Sequence, residues 1–155
     1  MMRNRFPDLN AEIVQGGSIG GISLGDDFYQ VLDKIDSDFC ANTFDFQNAG
    51  GKFLCCEIEG GAIAFSVDES GRIISIWCKK PYGGSFGGKL RPGMTAKEIF
   101  AVTSGQHEFS GYLILDGNYS VYYGMPAHYD DFEDFEKDIP DDLVFEELYV
   151  GNLLK

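Results

Sequence analysis

The sequence predicts an α+β fold: two pseudo-symmetric αβββ repeats with antiparallel sheet and the helices packed on one face. Three observations carry that expectation. A glycine-led phrase occurs twice, as GGSIGGISLGDDFYQVL from Gly16 and as GGSFGGKLRPGMTAKEIF from Gly83. Each copy runs into a short segment whose apolar residues have helical spacing. Behind each segment lie three strand-like runs. The chain has 155 residues, 44% hydrophobic and 14% aromatic, which suffices for a core without disulfide or metal staples. A single domain over residues 1–155 is expected, with repeat one at about 12–80 and repeat two at about 83–153.

In the first repeat, Asp26 or Asp27 can cap a helix on which Phe28, Val31, Leu32 and Ile35 fall at i, i+3, i+4 and i+7, one apolar face. The link DSDFCANTFDFQNAGG then leads to a meander of KFLCCEIE, AIAFSVD and RIISIWCKK. Gly60 and Gly61 suit its tight turn. The alternation places Leu54, Cys56 and Ile58, then Ile63, Phe65 and Val67, then Ile74, Ile76 and Cys78 on the buried side. In the second repeat, Thr95 and Glu98 form a capping box ahead of Ile99 and Phe100, both expected on the buried side. Gly25 and Gly93 precede the two caps, where a sharp turn needs positive φ. The strands GYLILD and YSVYYG meet across Gly117-Asn118, and LVFEELYV follows after an insertion at 125–142. Each unit is too small to bury its apolar face alone, so the pair completes one core.

The net charge of −13 opposes binding to nucleic acid or an anionic membrane and favours a basic protein partner. That charge is concentrated. Residues 126–147 hold ten acids against Lys137, a charge of −9 that leaves −4 for the remaining 133 residues. Tyr129, Phe132 and Phe135 lie among the acids. Aromatic residues interleaved with carboxylates in an insertion point to a partner-binding surface, in which carboxylates steer and rings supply contact area. The expected contacts are Tyr129, Asp130, Asp131 and Phe132, with Glu133, Asp134, Glu136, Asp138, Asp141 and Asp142 beside them. The alternative is that Phe132 and Phe135 anchor the segment while its acids face water.

Other chemistries find less support. The acids lack the D-x-D-x-D-G calcium loop, and no glycine lies between Asp130 and Asp142 to make its bend, so no metal is expected. The four cysteines have no CxxC or Cys/His spacing. Cys55 and Cys56 point to opposite sheet faces, Cys40 and Cys78 read as apolar fillers, and all four are expected as buried free thiols. His107 and His128 read as surface or loop residues, so no catalytic residue and no enzymatic activity are expected. GGSIGG and GGSFGG lack the GK[ST] of a phosphate loop, and no cofactor is expected. The basic cluster of Lys79, Lys80, Lys89 and Arg91 is a weak nucleic-acid footprint. The opening residues MMRNRFPDLNAEIVQGG carry no hydrophobic stretch after their arginines, and no apolar run reaches the ~20 residues of a membrane span; a cytoplasmic location is expected.

The phrases ISLGDDFYQVLDKI and RPGMTAKEIFAVTS resemble the glycine-led helix start of the BamE/SmpA-like fold, commonly G-M-T/S-x-x-E/D-V/I. The match covers Gly25–Ile35 and Gly93–Thr103. It implies a tandem helix-plus-three-strand unit and carries over no catalytic residue. By type, a small acidic α+β chain without an active site also resembles the immunity proteins of bacterial toxin systems, including contact-dependent growth inhibition. That resemblance implies a non-enzymatic module that neutralises a basic toxin nuclease by blocking its substrate groove. The alternative is a BamE-like scaffold or assembly domain that binds a protein through a sheet edge or a helix face.

Overall fold

The structure is a computed structural model that describes residues 5–15, 17–48, 51–126, 128–129 and 132–154. Strands β1 (Ser18–Ile19) and β2 (Ile22–Ser23) form a hairpin whose turn, Gly20-Gly21, has positive φ at both glycines. The SIGG of that stretch is therefore the first strand and turn of a hairpin. Helix α1 (Phe28–Lys34) follows, then β3 (Ala41–Asn48), β4 (Gly51–Ile58), β5 (Ile63–Val67) and β6 (Ile73–Cys78). A short β7 (Met94–Thr95) enters α2 (Ala96–Val102), followed by β8 (Gln106–Phe109), β9 (Tyr112–Leu115) and β10 (Asn118–Gly124). The chain ends with α3 (Phe135–Asp138), β11 (Val144–Phe145) and β12 (Leu148–Val150). Eight strands make one antiparallel sheet in the order β3-β4-β5-β6-β12-β10-β9-β8, while β7 and β11 pair separately.

This architecture overturns the α+β expectation of two αβββ repeats with helices packed on one face. Strand accounts for 40% of the protein and helix for 15%, so the large sheet organises the fold. The α-helices described are of 7, 7 and 4 residues, with one 3-10 turn at Glu59–Gly61. The expected link DSDFCANTFDFQNAGG contains β3, and the segment after α2 contains β8. These are the two outer strands of the sheet. Residues Ala41–Gln47 of β3 are exposed throughout, and its alternation is confined to the two rings Phe44 and Phe46, too short a pattern to mark a strand of eight residues. LVFEELYV is not one strand. Val144 and Phe145 pair with Thr95 and Met94, whereas Leu148, Tyr149 and Val150 pair with Cys78, Trp77 and Ile76.

Local signals hold where they are local. Thr95 and Glu98 form the capping box, Thr95 Oγ1 accepting from the Glu98 amide at 3.2 Å and Glu98 accepting from the Thr95 amide at 2.9 Å. Asp27 caps α1 without a side-chain bond. Gly25 and Gly93 take φ of +88° and +85°, the turn into each helix. Phe28 and Val31 are buried and Leu32 and Ile35 pack against the core, but Phe100 faces solvent while Ile99 does not. A bulge between Ser66 and Val67 sets Ile73 against Val67. Ile73 is therefore the buried residue, and Ile74 projects outward instead of inward as expected.

One apolar cluster lies on a single face of the sheet. It joins Phe65, Ile76, Cys78, Leu113, Val121 and Leu148 to Ile19 and Ile22 of the hairpin, Phe28 of α1, Ile99 of α2 and Phe135 of α3. Tyr123 lies fully within it and donates to the Arg91 carbonyl at 2.6 Å. Among the described residues, no helix is long and apolar enough to cross a membrane.

Candidate functional site

Two regions are built differently from the rest of the molecule. The first is the acidic insertion. Phe135 and Ile139 are buried, Tyr129 and Phe132 pack partly against the core, and Phe135 lies 5.6 Å from the Phe132 ring and 6.0 Å from that of Phe145. The Asp138 carboxylate accepts from the amides of Glu133 and Asp134, both at 3.0 Å, and Asp134 caps α3 by accepting from the Lys137 amide at 3.2 Å. Those two amide bonds, Asp134's first and Glu133's second, hold the Asp138 carboxyl below its ordinary value. The backbone of Asp141 accepts from the first turn of α2 through the Lys97 amide.

Among the described residues of the insertion, Phe135 and Ile139 are buried, Tyr129 and Phe132 are half-buried and the acids are exposed. Glu133, Asp134, Glu136, Asp138, Asp141 and Asp142 are all exposed. Of these, Glu133, Asp134, Glu136 and Asp138 surround one helical turn, with Asp141 and Asp142 just beyond Pro140. Asp130 and Asp131 lie outside the described residues. The expected aromatic contacts Tyr129 and Phe132 are half-buried, each packed in part against the core. Among the described residues, no three His, Cys, Asp or Glu side chains are grouped so as to hold a metal ion.

The second region is the sheet face opposite the core, which sequence reasoning missed. Antiparallel register sets Asn42, Glu57, Ala64, Trp77, Tyr149 and Tyr122 side by side in one row across six strands. The Trp77 and Tyr149 rings stack at 5.4 Å, and Tyr149 and Tyr122 stack at 5.8 Å with an interplanar angle of 8°. Tyr112 meets both tyrosines edge-on, at 4.8 Å from Tyr122 and 5.2 Å from Tyr149. The next row runs Phe44, Cys55, Ser66, Ser75. Small side chains in that row leave a trough of about 510 Å³, walled by Phe44, Phe46 and Phe53 on one side and by Trp77 and Tyr149 on the other. Phe44 is 42% and Phe46 47% exposed. The signal was present in the sequence: TFDF, KF, YY and LYV place rings at strand positions that should be polar if that face met only water.

Burial raises the Cys55 thiol first and the nearby Glu57 carboxylate raises it further. The Tyr112 phenol is raised in the same way, by burial and then by Glu147. The Tyr149 hydroxyl donates to Glu147 Oε1 at 3.1 Å.

A larger opening, about 710 Å³, lies beside the end of β9–β10 and is lined by Lys89, Thr103, Asn118 and Asn152 among others. Its polar groups already serve the turns: Asn118 accepts from the Ser120 and Val121 amides, and Thr103 donates to the Ile99 carbonyl. His107 shares a 2.9 Å hydrogen bond with the Tyr119 hydroxyl on the outer strand, and His128 is exposed. Cys55, Cys56 and Cys78 are buried free thiols, but Cys40, expected to be buried, is exposed. It stands just ahead of the edge strand, where no layer covers it.

No protein-family model matches the chain, and neither does any curated protein. The fold is similar to the crystal structure of the uncharacterized protein yfeY from Escherichia coli, with a TM-score of 0.61 at 12% identity over 90% of this chain and 99% of that one. At that identity the likeness concerns the fold.

Proposed function

We propose that this chain is a non-catalytic protein-binding module that neutralises a basic toxin domain, a nuclease whose cationic substrate groove the acidic insertion occupies. One observation carries the reading: six acidic residues are exposed, four of them with carboxylates not used to cap α3, on a segment pinned to the core by Phe132, Phe135 and Ile139. A held array of like charge raises the encounter rate with a basic groove and competes there with the phosphates of the substrate. The pinning limits the ordering cost of binding, because the segment already has a defined conformation.

The test is growth of cells expressing the open reading frame immediately upstream of this one, with and without this chain. Toxicity relieved by the chain is the expected result; an upstream product that is harmless, or not relieved, removes the reading. Given rescue, the fourfold change Glu133→Gln, Glu136→Gln, Asp141→Asn and Asp142→Asn spares the carboxylates that cap α3. It should slow association about 10-fold at low salt and flatten its salt dependence.

A second reading, a scaffold domain that binds by strand addition, is favoured by the exposed edge strand β3. Its mark is binding that survives high salt and is lost when a proline is placed in β3.

A further inference from the structure

We propose that the trough on the open sheet face seats an arginine-bearing segment of the basic partner, with guanidinium against the Trp77–Tyr149 stack and its donors met by Ser66, Ser75 and Glu57. The proposal rests on the partner being basic, and it names a surface other than the insertion.

Shape comes first. The row Phe44–Cys55–Ser66–Ser75 is low at its centre and high at its edge, so the depression of about 510 Å³ is made by the order of residue sizes across four paired strands. That volume lies within the range of sites that take a side chain or a small ligand. Trp77 meets Tyr149 on one face, and among the described residues no second aromatic ring stacks on it; a planar guanidinium stacks on such a face and is attracted by the ring quadrupole.

Polarity agrees. Ser66 and Ser75 are half-buried cross-strand neighbours, and both line the floor of the trough. Two hydroxyls that can accept suit a group that carries five N–H donors and no acceptor.

Charge then selects the occupant. No lysine or arginine lines the trough. Glu57 stands in the adjacent row, two residues from Cys55, and its charge is felt at that thiol. Glu147 stands at the Tyr149 hydroxyl. Both flanking groups are anionic, on a chain of net charge −13. An apolar occupant would leave the hydroxyls unmet, and an anion would be repelled. The exposed Phe44 and Phe46 of β3 add contact area that the free protein leaves in water.

The chain's single tryptophan, Trp77, reports on the trough directly. The probe is a blocked nine-residue peptide of alternating glycine and arginine, titrated into the full chain while Trp77 fluorescence is followed. Its counterpart with citrulline in place of arginine has the same shape without the charge. A saturable change with the arginine peptide is expected, with at least about 10-fold weaker binding of the citrulline peptide. Phe44→Ala with Phe46→Ala, at exposed positions that leave the core intact, should weaken the arginine peptide about 10-fold. The fourfold change in the insertion should leave the Trp77 titration within about 2-fold.

Equal binding of the two peptides overturns the proposal. So does an unchanged affinity in the Phe44/Phe46 variant, or a Trp77 signal that does not respond. If sedimentation shows a dimer that dissociates in that variant, the face is an interface between copies and the proposal also falls. Rescue lost with the insertion variant but kept with the trough variant would leave the proposed function standing and this site refuted. A harmless upstream product together with a saturable Trp77 titration would do the reverse.

Discussion

The two faces of the eight-stranded sheet are made by the same strands, and adjacent residues show how differently they are finished. Cys56 looks into the core and Cys55 away from it; Tyr123 lies in the apolar cluster, while its neighbour Tyr122 stacks on Tyr149 outside it. The core face is largely aliphatic and is covered by the β1–β2 hairpin and the three helices. Among the described residues no such layer lies on the other face, which is covered by rings. Cys55, Ala64, Ile114 and Tyr122 are buried there without belonging to the main cluster. A tyrosine or tryptophan can do this because it offers a large apolar body and a polar tip. The covering is incomplete towards β3, where Phe44 and Phe46 remain in water. That gap distinguishes a face closed by a covering layer from one left open to water.

The largest effect that would sharpen this contrast is at Phe65, which is fully buried beneath α1 with its ring 6.1 Å from that of Phe28. Phe65→Ala should cost about 3–5 kcal/mol, read from the urea midpoint at constant slope. A loss below ~1 kcal/mol would mean that the helix layer contributes little to closing that face.

A smaller loss is expected on raising the pH, and it too comes from the covered face. Burial pushes the Cys56 thiol up to about 11 from an ordinary value near 9.0, with smaller contributions from Cys55 and Glu57. Burial likewise raises the Tyr123 phenol. The fold therefore favours the protonated forms of both. Their stabilising contribution is complete below pH ~9 and is lost as the pH rises through the folded value, because the unfolded chain releases the protons first. Urea midpoints at pH 7, 9 and 10.5 should fall only between the last two, and Cys56→Ala should remove part of that fall.

The smallest effect should be on the open face. Phe44→Ser and Phe46→Ser are expected to change stability by less than about 0.5 kcal/mol each, or to raise solubility, because neither ring is buried. A loss of 2 kcal/mol in either would make the outer rings part of the core and erase the distinction between the faces.

The legible parts of this protein are those whose cause is local. Gly25 and Gly93 mark the turns into two helices because positive φ is cheap for glycine, and Thr95 and Glu98 mark a capping box because both halves of it lie within four residues. The hairpins β4–β5 and β9–β10 follow from alternation on either side of a turn. The charge of −9 over residues 126–147 is legible as plain composition. Which of its aromatic residues turn inward is not legible there: Phe135 is buried because it packs against Phe145, and Phe132 packs on Phe135 in turn.

The sequence by itself determined turns, caps, inner strands and the place of the acids. Tertiary structure alone decided the sheet. Strands β3 and β8 lie at its rims, where one-sided burial is weak, so their residues show little periodic pattern until a neighbour pairs with them. The pairing of β12 with β6 joins residues some 70 positions apart, as in Leu148 with Cys78, and it cuts LVFEELYV into two strands serving different partners. The bulge at Ser66/Val67 exchanged Ile74 for Ile73. The aromatic trough depends on all of these, because it is a row across strands and not a run along one. Periodicity records which residues share a face of one strand, whereas register between distant strands is set by the packing of the whole sheet.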